Sequence, residues 1–209
     1  MPAKRYRINE GIVSKDSIKG AAITQYAAAE LHMLVIKELI ANGINAISFP
    51  PSAGSAKKGR MSTWDLGPMK NAISSGFTPV TRGDMVIDSA KGITIISTEG
   101  AFEYLASKLK PGRIIIAGDT DGVFTADPKI DRNAELIPRV SSGNINKALA
   151  GAGASLKIDV TGGMATKLKS LYLISERTGT TCQIINATVP GRLRSALSGK
   201  RVRGTVVKA

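Results

Sequence analysis

The chain has 209 residues, of which 43% are hydrophobic and 4% aromatic, and its formal net charge at pH 7 is 29 − 16 = +13. Its length suffices for one substantial core or two small ones, its hydrophobic content excludes a disordered chain, and no apolar run approaches the ~20 residues that span a bilayer. The single Cys182 excludes an internal disulfide and a cysteine-based zinc cluster, and no signal peptide opens the chain, so we predict a cytoplasmic protein with no membrane partner.

Alternating helices and strands are predicted along the first half of the chain. Residues 16–41 are rich in Ala, Leu, Ile and Glu and predict a long helix that ends at Asn42-Gly43. Residues 52–60 are small and basic, and we expect them to form a mobile loop. The predicted elements of this half are helices at 16–41, 66–75 and 99–109, strands at 44–49, 79–80, 85–87 and 93–96, and a hairpin loop at 88–92.

The second half continues the alternation. We predict strands at 113–117, 181–185 and 205–207 and helices at 144–150, 162–177 and 191–197. Such alternation favours an α/β fold with a mostly parallel sheet between layers of helices. Since the chain contains no internal repeat and no linker, we expect a single domain over residues 1–209.

Residues 118–128, with the sequence GDTDGVFTADP, form the first candidate site. They follow the predicted buried strand at 113–117, and carboxylates, a glycine and an Asp-Pro turn at the end of a strand are typical of nucleotide sites. Asp119 and Asp121 could hold water or Mg²⁺, and Gly122 lets the backbone approach a ligand closely. The alternative is a polar connection that contains an ordinary Asx turn.

Residues 159–167, with the sequence DVTGGMATK, form the second candidate site. Thr161-Gly162-Gly163 opens a predicted helix, with Asp159 or Thr161 as its N-cap, and the amides and dipole at that end suit phosphate oxygens. Lys167 lies one turn further on, where it could stabilise negative charge on a transferring phosphoryl group. The alternative is a capped helix with a surface lysine. Together the two segments predict phosphoryl transfer.

At these residues the chain resembles the amino acid kinase superfamily, whose members have an αβα sandwich fold and phosphorylate carboxylates, phosphates or phosphonates with ATP. Within the superfamily it is most similar to the archaeal-type isopentenyl phosphate kinases, through PAKRY at 2–6 and GFTPVTRGDMVID at 76–88. The resemblance covers essentially the whole chain. It implies an acceptor-binding part at residues 1–110 and a nucleotide-binding part at residues 111–209.

The resemblance also implies an activity and a set of site residues. The activity is transfer of the γ-phosphoryl group of Mg-ATP to isopentenyl phosphate, giving isopentenyl diphosphate for isoprenoid biosynthesis. Lys167 would be catalytic, Thr98 and Glu99 would bind the acceptor, and the helix at 16–41 would wall the isoprenoid pocket and pair two subunits in a homodimer. No protein-held metal is predicted. The residues assigned to ATP are Asp119, Asp121, Gly122, Phe124, Asp127, Lys129, Gly162, Gly163 and Lys167.

Two departures from the family pattern affect this expectation. Family members begin with a strand that carries a lysine and a glycine pair, and then a glycine-rich turn that ends in a histidine; both would precede Pro2. We therefore expect either a truncated copy of low activity, since one lost donor costs ~10²–10³ in rate, or a true start that lies upstream. In addition, Ser97-Thr98-Glu99-Gly100 replaces a Ser-Gly-Asp type of turn, so the acceptor phosphate could be held differently.

Other interpretations stay open. The acceptor could be glutamate, a nucleoside monophosphate or a phosphonate, and a truncated copy could bind nucleotide without catalysis. The basic residues after Pro190 are not interleaved with stacking aromatics, so nucleic acid is not an expected partner, and steering of ATP or a solvated surface explains them as well. We expect His32 to be structural and Trp64 to be a packed anchor for the basic loop.

Overall fold

The computed structural model of the chain describes residues 6–58, 60–153 and 163–209. The chain divides into two compact units, Met1–Tyr104 and Leu105–Ala209. Within the described ranges, no helix is both long enough and apolar enough to cross a membrane. The division into an acceptor-binding and a nucleotide-binding part at residue 110 stays a prediction.

The first unit contains two sheets. β1 pairs with β4 in parallel, and the other sheet has the order β3-β2-β5-β6, in which only β2 and β5 are parallel neighbours. The helices are α1 (Lys15–Ala41), α2 (Gly67–Ser74) and α3 (Thr98–Leu109), the last of which begins in this unit and ends in the second, and the strands are β1 (Ala46–Ser48), β2 (Ser55–Lys58), β3 (Arg60–Trp64), β4 (Thr78–Val80), β5 (Asp84–Asp88) and β6 (Gly92–Ile96).

Helix α1 confirms the long helix that composition predicted. Before its first turn, the Ser14 amide donates to Ser17 Oγ at 3.2 Å. The helix ends as expected at Asn42-Gly43, because Gly43 adopts a φ of +79° that favours glycine and donates its amide to Ile40 O at 2.9 Å. Many apolar side chains of α1 remain exposed, while Ala21, His32 and Ile36 are buried.

The prediction of a mobile basic loop at residues 52–60 is wrong, because this part of the chain forms regular secondary structure. A short 3₁₀ turn at Pro51–Ala53 is followed by β2 and β3, and the backbone of β2 pairs with β5 at Lys57 and Asp88. Lysine, serine and glycine have low strand propensity, but pairing with an existing strand overrides propensity. Trp64 is buried as expected: its ring stacks on Tyr104 with centroids 6.2 Å apart.

The hairpin between β5 and β6 forms where it was predicted. Asp88 Oδ1 accepts hydrogen bonds from the amides of Ala90 at 2.8 Å and Lys91 at 3.2 Å, which is an Asx turn. Gly92 then takes a φ of +81°. The buried side chains of Val86, Ile93 and Ile96 give this hairpin its apolar face.

The second unit contains one four-stranded sheet in the order β7-β9-β10-β8. β7 is parallel to β9, β10 is antiparallel to β9, and β10 is parallel to β8. Helix α5 packs on β9 and β10 with Leu168, Leu171 and Ile174 buried. The helices are α4 (Ile145–Gly153), α5 (Gly163–Thr178) and α6 (Arg192–Leu197), and the strands are β7 (Arg113–Gly118), β8 (Arg139–Val140), β9 (Thr181–Asn186) and β10 (Gly204–Val207).

The predicted fold class is confirmed. Each unit combines helices with a sheet, and four of the seven described strand pairings are parallel. The two-residue β8 was not predicted, because a pair of residues after Pro138 carries no periodic signal. Most of the predicted element boundaries agree with the structure to within two residues.

Candidate active site

A cavity of about 310 Å³ lies beside the carboxyl end of β7 in the second unit. The loop that follows β7, the end of α4 and the start of α5 line it. This is the edge at which α/β sheets bind nucleotides. The lining residues are Asp119, Thr120, Gly122, Phe124, Ala126, Asp127, Pro128, Lys129, Gly151, Ala152, Gly163, Met164 and Lys167.

The cavity brings together the two segments that were predicted to flank a triphosphate. Asp119 after β7 and Lys167 in the first turns of α5 line the same space. Gly162 and residues 159–161, including Asp159 and Thr161, lie outside the described residues. The predicted ATP residues that line the cavity are Asp119, Gly122, Phe124, Asp127, Lys129, Gly163 and Lys167, and their assignment to ATP stays a prediction.

Contacts with β10 fix the shape of the loop after β7. Gly122 has a φ of +148°, and a Cβ there would lie 2.4 Å from Thr205 Oγ1, so only glycine fits. The buried Thr205 hydroxyl accepts a hydrogen bond from the Val123 amide at 2.8 Å and donates to Ile137 O at 2.7 Å. The sheet therefore holds the loop in this shape through Thr205.

The far side of the loop rests on α4 and on an Asx turn. A Cβ on Gly151 would lie 2.6 Å from Phe124 O and 2.7 Å from Thr125 O, so the helix backbone approaches the loop backbone closely. Asp127 Oδ1 accepts from the Lys129 amide at 2.9 Å, as the Asp-Pro sequence predicted. These contacts hold Phe124 and Lys129 at the cavity.

The lysine side chains that line the cavity form weak ion pairs, or none, with other described residues. Lys129 Nζ lies 3.4 Å from Asp119 Oδ2, but both side chains are more than two-thirds exposed, so this pair contributes little to stability. Lys167 is half-buried and forms no ion pair with any other described residue. Neither lysine is therefore held by a strong ion pair with another described residue.

Asp121 is the one predicted ATP residue in the described part of the chain that the cavity does not include. One of its carboxylate oxygens accepts from Arg192, and the other accepts from Arg203 Nε at 2.6 Å. Burial tends to raise the pKa of Asp121, but the two arginines outweigh burial and lower that pKa below its ordinary value. Asp121 thus ties the loop after β7 to α6 and to the segment before β10.

The predicted acceptor residues lie at the start of α3 in the first unit. Thr98 is exposed and Glu99 half-buried, and Ser97 Oγ caps the helix by accepting from the Gly100 amide at 3.1 Å. The loop between β4 and β5 approaches this helix start closely, since a Cβ on Gly83 would lie 3.5 Å from the Thr98 nitrogen. The role of Thr98 and Glu99 in acceptor binding stays a prediction.

Sequence reasoning missed part of the cavity and its support. Ala126, Gly151 and Ala152 line the cavity but are small and apolar, so their types carry no chemical signal. The roles of Arg192 and Arg203 were hidden in a basic C-terminal cluster. That cluster contains no acid of its own, so any ion pair of its arginines has to be formed with a residue elsewhere in the chain.

A metal ion would have few protein ligands here. In the described ranges, no group of three or more His, Cys, Asp or Glu side chains is placed to hold one. Asp119 is the exposed carboxylate at the cavity. Since Mg²⁺ in phosphoryl-transfer sites is held by one or two carboxylates together with substrate phosphates, this arrangement fits Mg²⁺ that arrives with ATP.

Comparison with known proteins identifies the family. The model of the amino acid kinase family matches residues 2–186 of the chain. The isopentenyl phosphate kinase of Methanothermobacter thermautotrophicus is 37% identical over 210 residues, which cover 97% of this chain and 77% of that protein. The isopentenyl phosphate kinase of Arabidopsis thaliana is 29% identical over 94% of this chain and 63% of its own length.

A solved structure of a family member has the same fold as this chain. An X-ray structure of isopentenyl phosphate kinase superimposes with a TM-score of 0.82 at 32% identity, and the match covers 99% of this chain and 78% of that one. The cavity beside β7, the α/β fold and these matches along nearly the whole length agree with one another. The chain belongs to the amino acid kinase family.

Proposed function

We propose that the chain is an ATP-dependent kinase that transfers the γ-phosphoryl group of ATP to isopentenyl phosphate and releases ADP and isopentenyl diphosphate. The observation that carries the proposal is the cavity at the end of β7, where Asp119, Gly163 and Lys167 meet. The choice of acceptor is supported by the isopentenyl phosphate kinases to which the chain is similar, the first of which matches 97% of it.

Lys167 is the residue to which we assign the main catalytic role. Its ammonium group would follow negative charge from the bridge between the β- and γ-phosphates onto the leaving ADP. Its half-buried position strengthens such an interaction relative to bulk water. The loop from Gly122 to Lys129 would hold the nucleotide, with Phe124 and Asp127 along it.

Mg²⁺ would be held by Asp119 and by the phosphates of ATP. When bound, the ion neutralises phosphate charge and orients the transferring group. Asp119 is suited to this because its carboxylate is 73% exposed and its partner Lys129 is readily displaced.

We also propose that two chains pair through α1, whose exposed apolar side chains give a surface of the kind that dimer interfaces bury. This pairing is independent of the catalytic assignment. The location in the cytoplasm stays a prediction from the lone, buried Cys182.

The activity is tested with the purified chain, Mg-ATP and isopentenyl phosphate in an assay that couples ADP release to a spectroscopic signal. We expect ADP and isopentenyl diphosphate in equal amounts, the latter identified by mass spectrometry. Glutamate, uridine monophosphate and a phosphonate serve as competing acceptors. Faster turnover with one of these compounds would show that it, and not isopentenyl phosphate, is the acceptor. ADP release without any phosphorylated product would show that the chain is not a kinase.

A further inference from the structure

The loop between β4 and β5 carries a guanidinium group that its surroundings do not satisfy. The side chain of Arg82 is only 14% exposed. Its Nε is buried and has no hydrogen-bond partner among the residues that the structure describes, and the same is true of the neighbouring Thr81 Oγ1. Buried polar atoms without protein partners are rare in folded proteins, so two adjacent ones mark a place where a ligand or an ordered water would be bound.

The one ionic partner of Arg82 in the described part of the chain compensates its charge poorly. An Arg82 terminal nitrogen lies 3.5 Å from Asp84 Oδ1, at the limit of a hydrogen bond. The fully buried Asp84 carboxylate already accepts from the amides of Ser52 and Met85, both at 3.1 Å. Asp84 is therefore engaged mainly with the backbone, and the guanidinium retains unused donors in a poorly solvated position.

The other titratable group beside this loop adds no negative charge. His32 is buried, and its Nε2 lies 2.8 Å from Ser48 Oγ. Burial and then the positive charge of Arg82 lower the pKa of His32, so its imidazole is neutral near pH 7. Among the described residues, the charged and titratable groups near the loop are the cation Arg82, the backbone-bound Asp84, a neutral histidine and, beyond Thr98, the half-buried Glu99.

The position of the loop places Gly83 next to the start of α3. A Cβ on Gly83, the residue after Arg82, would lie 3.2 Å from Ile96 O and 3.5 Å from both the backbone nitrogen and Oγ1 of Thr98. The backbone directly after Arg82 therefore lies close to Thr98, one of the two residues that were predicted to bind the acceptor.

We propose that Arg82, with the hydroxyl of Thr81, binds the phosphate of the acceptor. The acceptor class is a phosphomonoester dianion, and this choice of class rests on the proposed function. A guanidinium offers planar, paired donors that match phosphate oxygens, and a cation short of partners gains more from an incoming anion than one that is already paired. Arg82 is in this way a specificity-determining residue that favours phosphate acceptors over neutral ones.

The test is calorimetric titration of the chain with isopentenyl phosphate, inorganic phosphate and ADP as separate probes. Arg82→Met removes the charge, and Arg82→Lys keeps it without the planar donors. Arg139→Met is the matched control, because Arg139 is an exposed arginine on β8 and does not line the cavity.

We expect Arg82→Met to raise the dissociation constants of isopentenyl phosphate and inorganic phosphate by about 10- to 100-fold, and Arg82→Lys by a smaller factor. ADP affinity should stay unchanged in both variants, which shows that each is folded. Arg139→Met should leave all three affinities unchanged. Equal phosphate affinities in the unchanged chain and Arg82→Met would overturn the proposal, as would the absence of phosphate binding to the unchanged chain.

The titration separates this proposal from the proposed function. Arg82-dependent binding of inorganic phosphate without turnover of isopentenyl phosphate would support the anion site and reject that acceptor. Turnover of isopentenyl phosphate with an unchanged KM in Arg82→Met would support the kinase and reject the role of Arg82.

Discussion

Lys167 is the residue on which the kinase chemistry depends most directly. It is half-buried at the cavity, and no other described residue forms an ion pair with it. Because its charge would act on the transition state rather than on bound ATP, we expect Lys167→Met to lower kcat by about 10²- to 10³-fold and to change the KM for ATP much less.

Lys169→Met is the control for this prediction. Lys169 lies two residues further along α5, is exposed and does not line the cavity, so its loss should leave both constants unchanged. Steady-state kinetics over a range of ATP concentrations separates the two parameters. A normal kcat in Lys167→Met would show that Lys167 has no catalytic role.

His32 gives the molecule a pH dependence of stability with a defined sign. Its folded-state pKa is lowered by burial and then by Arg82, so the unfolded chain binds the proton more readily. The stability that neutral His32 contributes is therefore complete above the ordinary histidine pKa of about 6.5 and is lost as the pH falls below that value. We expect Tm to drop more between about pH 7.5 and 5.5 in the unchanged chain than in His32→Gln.

The comparison is clean because His32 is the only histidine of the chain. Acidic groups contribute equally to both melting curves, and glutamine keeps a polar group near Ser48. Parallel dependences of Tm on pH in the two proteins would show that His32 does not titrate differently on folding.

At the scale of elements, Asp121 joins the loop after β7 to the C-terminal segments. Arg192 is 16% exposed and Arg203 is 60% exposed, so the bond to Arg192 is better shielded from water. We expect Asp121→Asn to lower the free energy of unfolding by about 1–3 kcal/mol, and Arg192→Met to cost more than Arg203→Met. Urea denaturation measures all three.

Lys129→Met is the matched control, because the pair of Lys129 with Asp119 is exposed on both sides and should contribute at most about 1 kcal/mol. If Asp121→Asn were no more destabilising than Lys129→Met, the ion pairs of Asp121 would have no structural role. That result would instead favour the prediction that Asp121 binds ATP.

The contact of α4 with the loop predicts the effect of a small substitution. Alanine favours helices over glycine by about 1 kcal/mol, yet a Cβ on Gly151 would lie 2.6 Å from Phe124 O. The clash is with backbone, which cannot rotate away, so we expect Gly151→Ala to destabilise by about 1–3 kcal/mol and to weaken ADP binding.

Gly100→Ala in α3 is the comparison, because the nearest atom to its added Cβ would be Ser97 Oγ at 3.5 Å, an ordinary contact. That substitution should be neutral or stabilising. Thermal melts with and without ADP measure both effects. A Gly151→Ala protein that melts no lower than the unchanged chain would show that the loop backbone can shift to accommodate the methyl group.

Elements with a strong local pattern were predictable from the sequence, whereas those formed by long-range pairing were not. Helix α1 and the β5–β6 hairpin have their own start and stop signals, such as Asn42-Gly43 and Gly92. Strands β2 and β3 contain residues that favour loops and form only because β5 offers a pairing edge. The same holds for the cavity. Asp119 and Lys167 could be recognised as site residues from their charge and their sequence context, whereas the position of Gly151 at the cavity is visible only in the folded structure.

At the scale of the whole molecule, the net charge is +13, and part of the positive charge lies in the basic C-terminal segment. Two of its arginines are used internally by Asp121. Their pairing explains why a predicted acidic ligand of Mg²⁺ is held away from the cavity. The remaining positive charge favours polyanions such as ATP and phosphate acceptors by long-range attraction that salt screens.

The exposed surface of α1 predicts the oligomeric state of the molecule. The helix has 27 residues, and its apolar side chains are left open on several sides. Burying a large apolar side chain stabilises an interface by about 1.5–3 kcal/mol, and a twofold dimer buries each one twice. The large side chains of α1 that are exposed by more than half are Ile18, Tyr26, Leu31, Met33, Leu34 and Ile40.

We therefore expect the chain to sediment as a dimer at micromolar concentration and Leu34→Glu to sediment as a monomer, because a charge would be buried twice in the interface. Ile87→Glu is the matched control, since Ile87 is 63% exposed but lies on β5. It should leave the dimer intact. Sedimentation velocity at several concentrations measures the masses. A monomeric unchanged chain, or a Leu34→Glu dimer of unchanged affinity, would show that α1 does not pair the subunits.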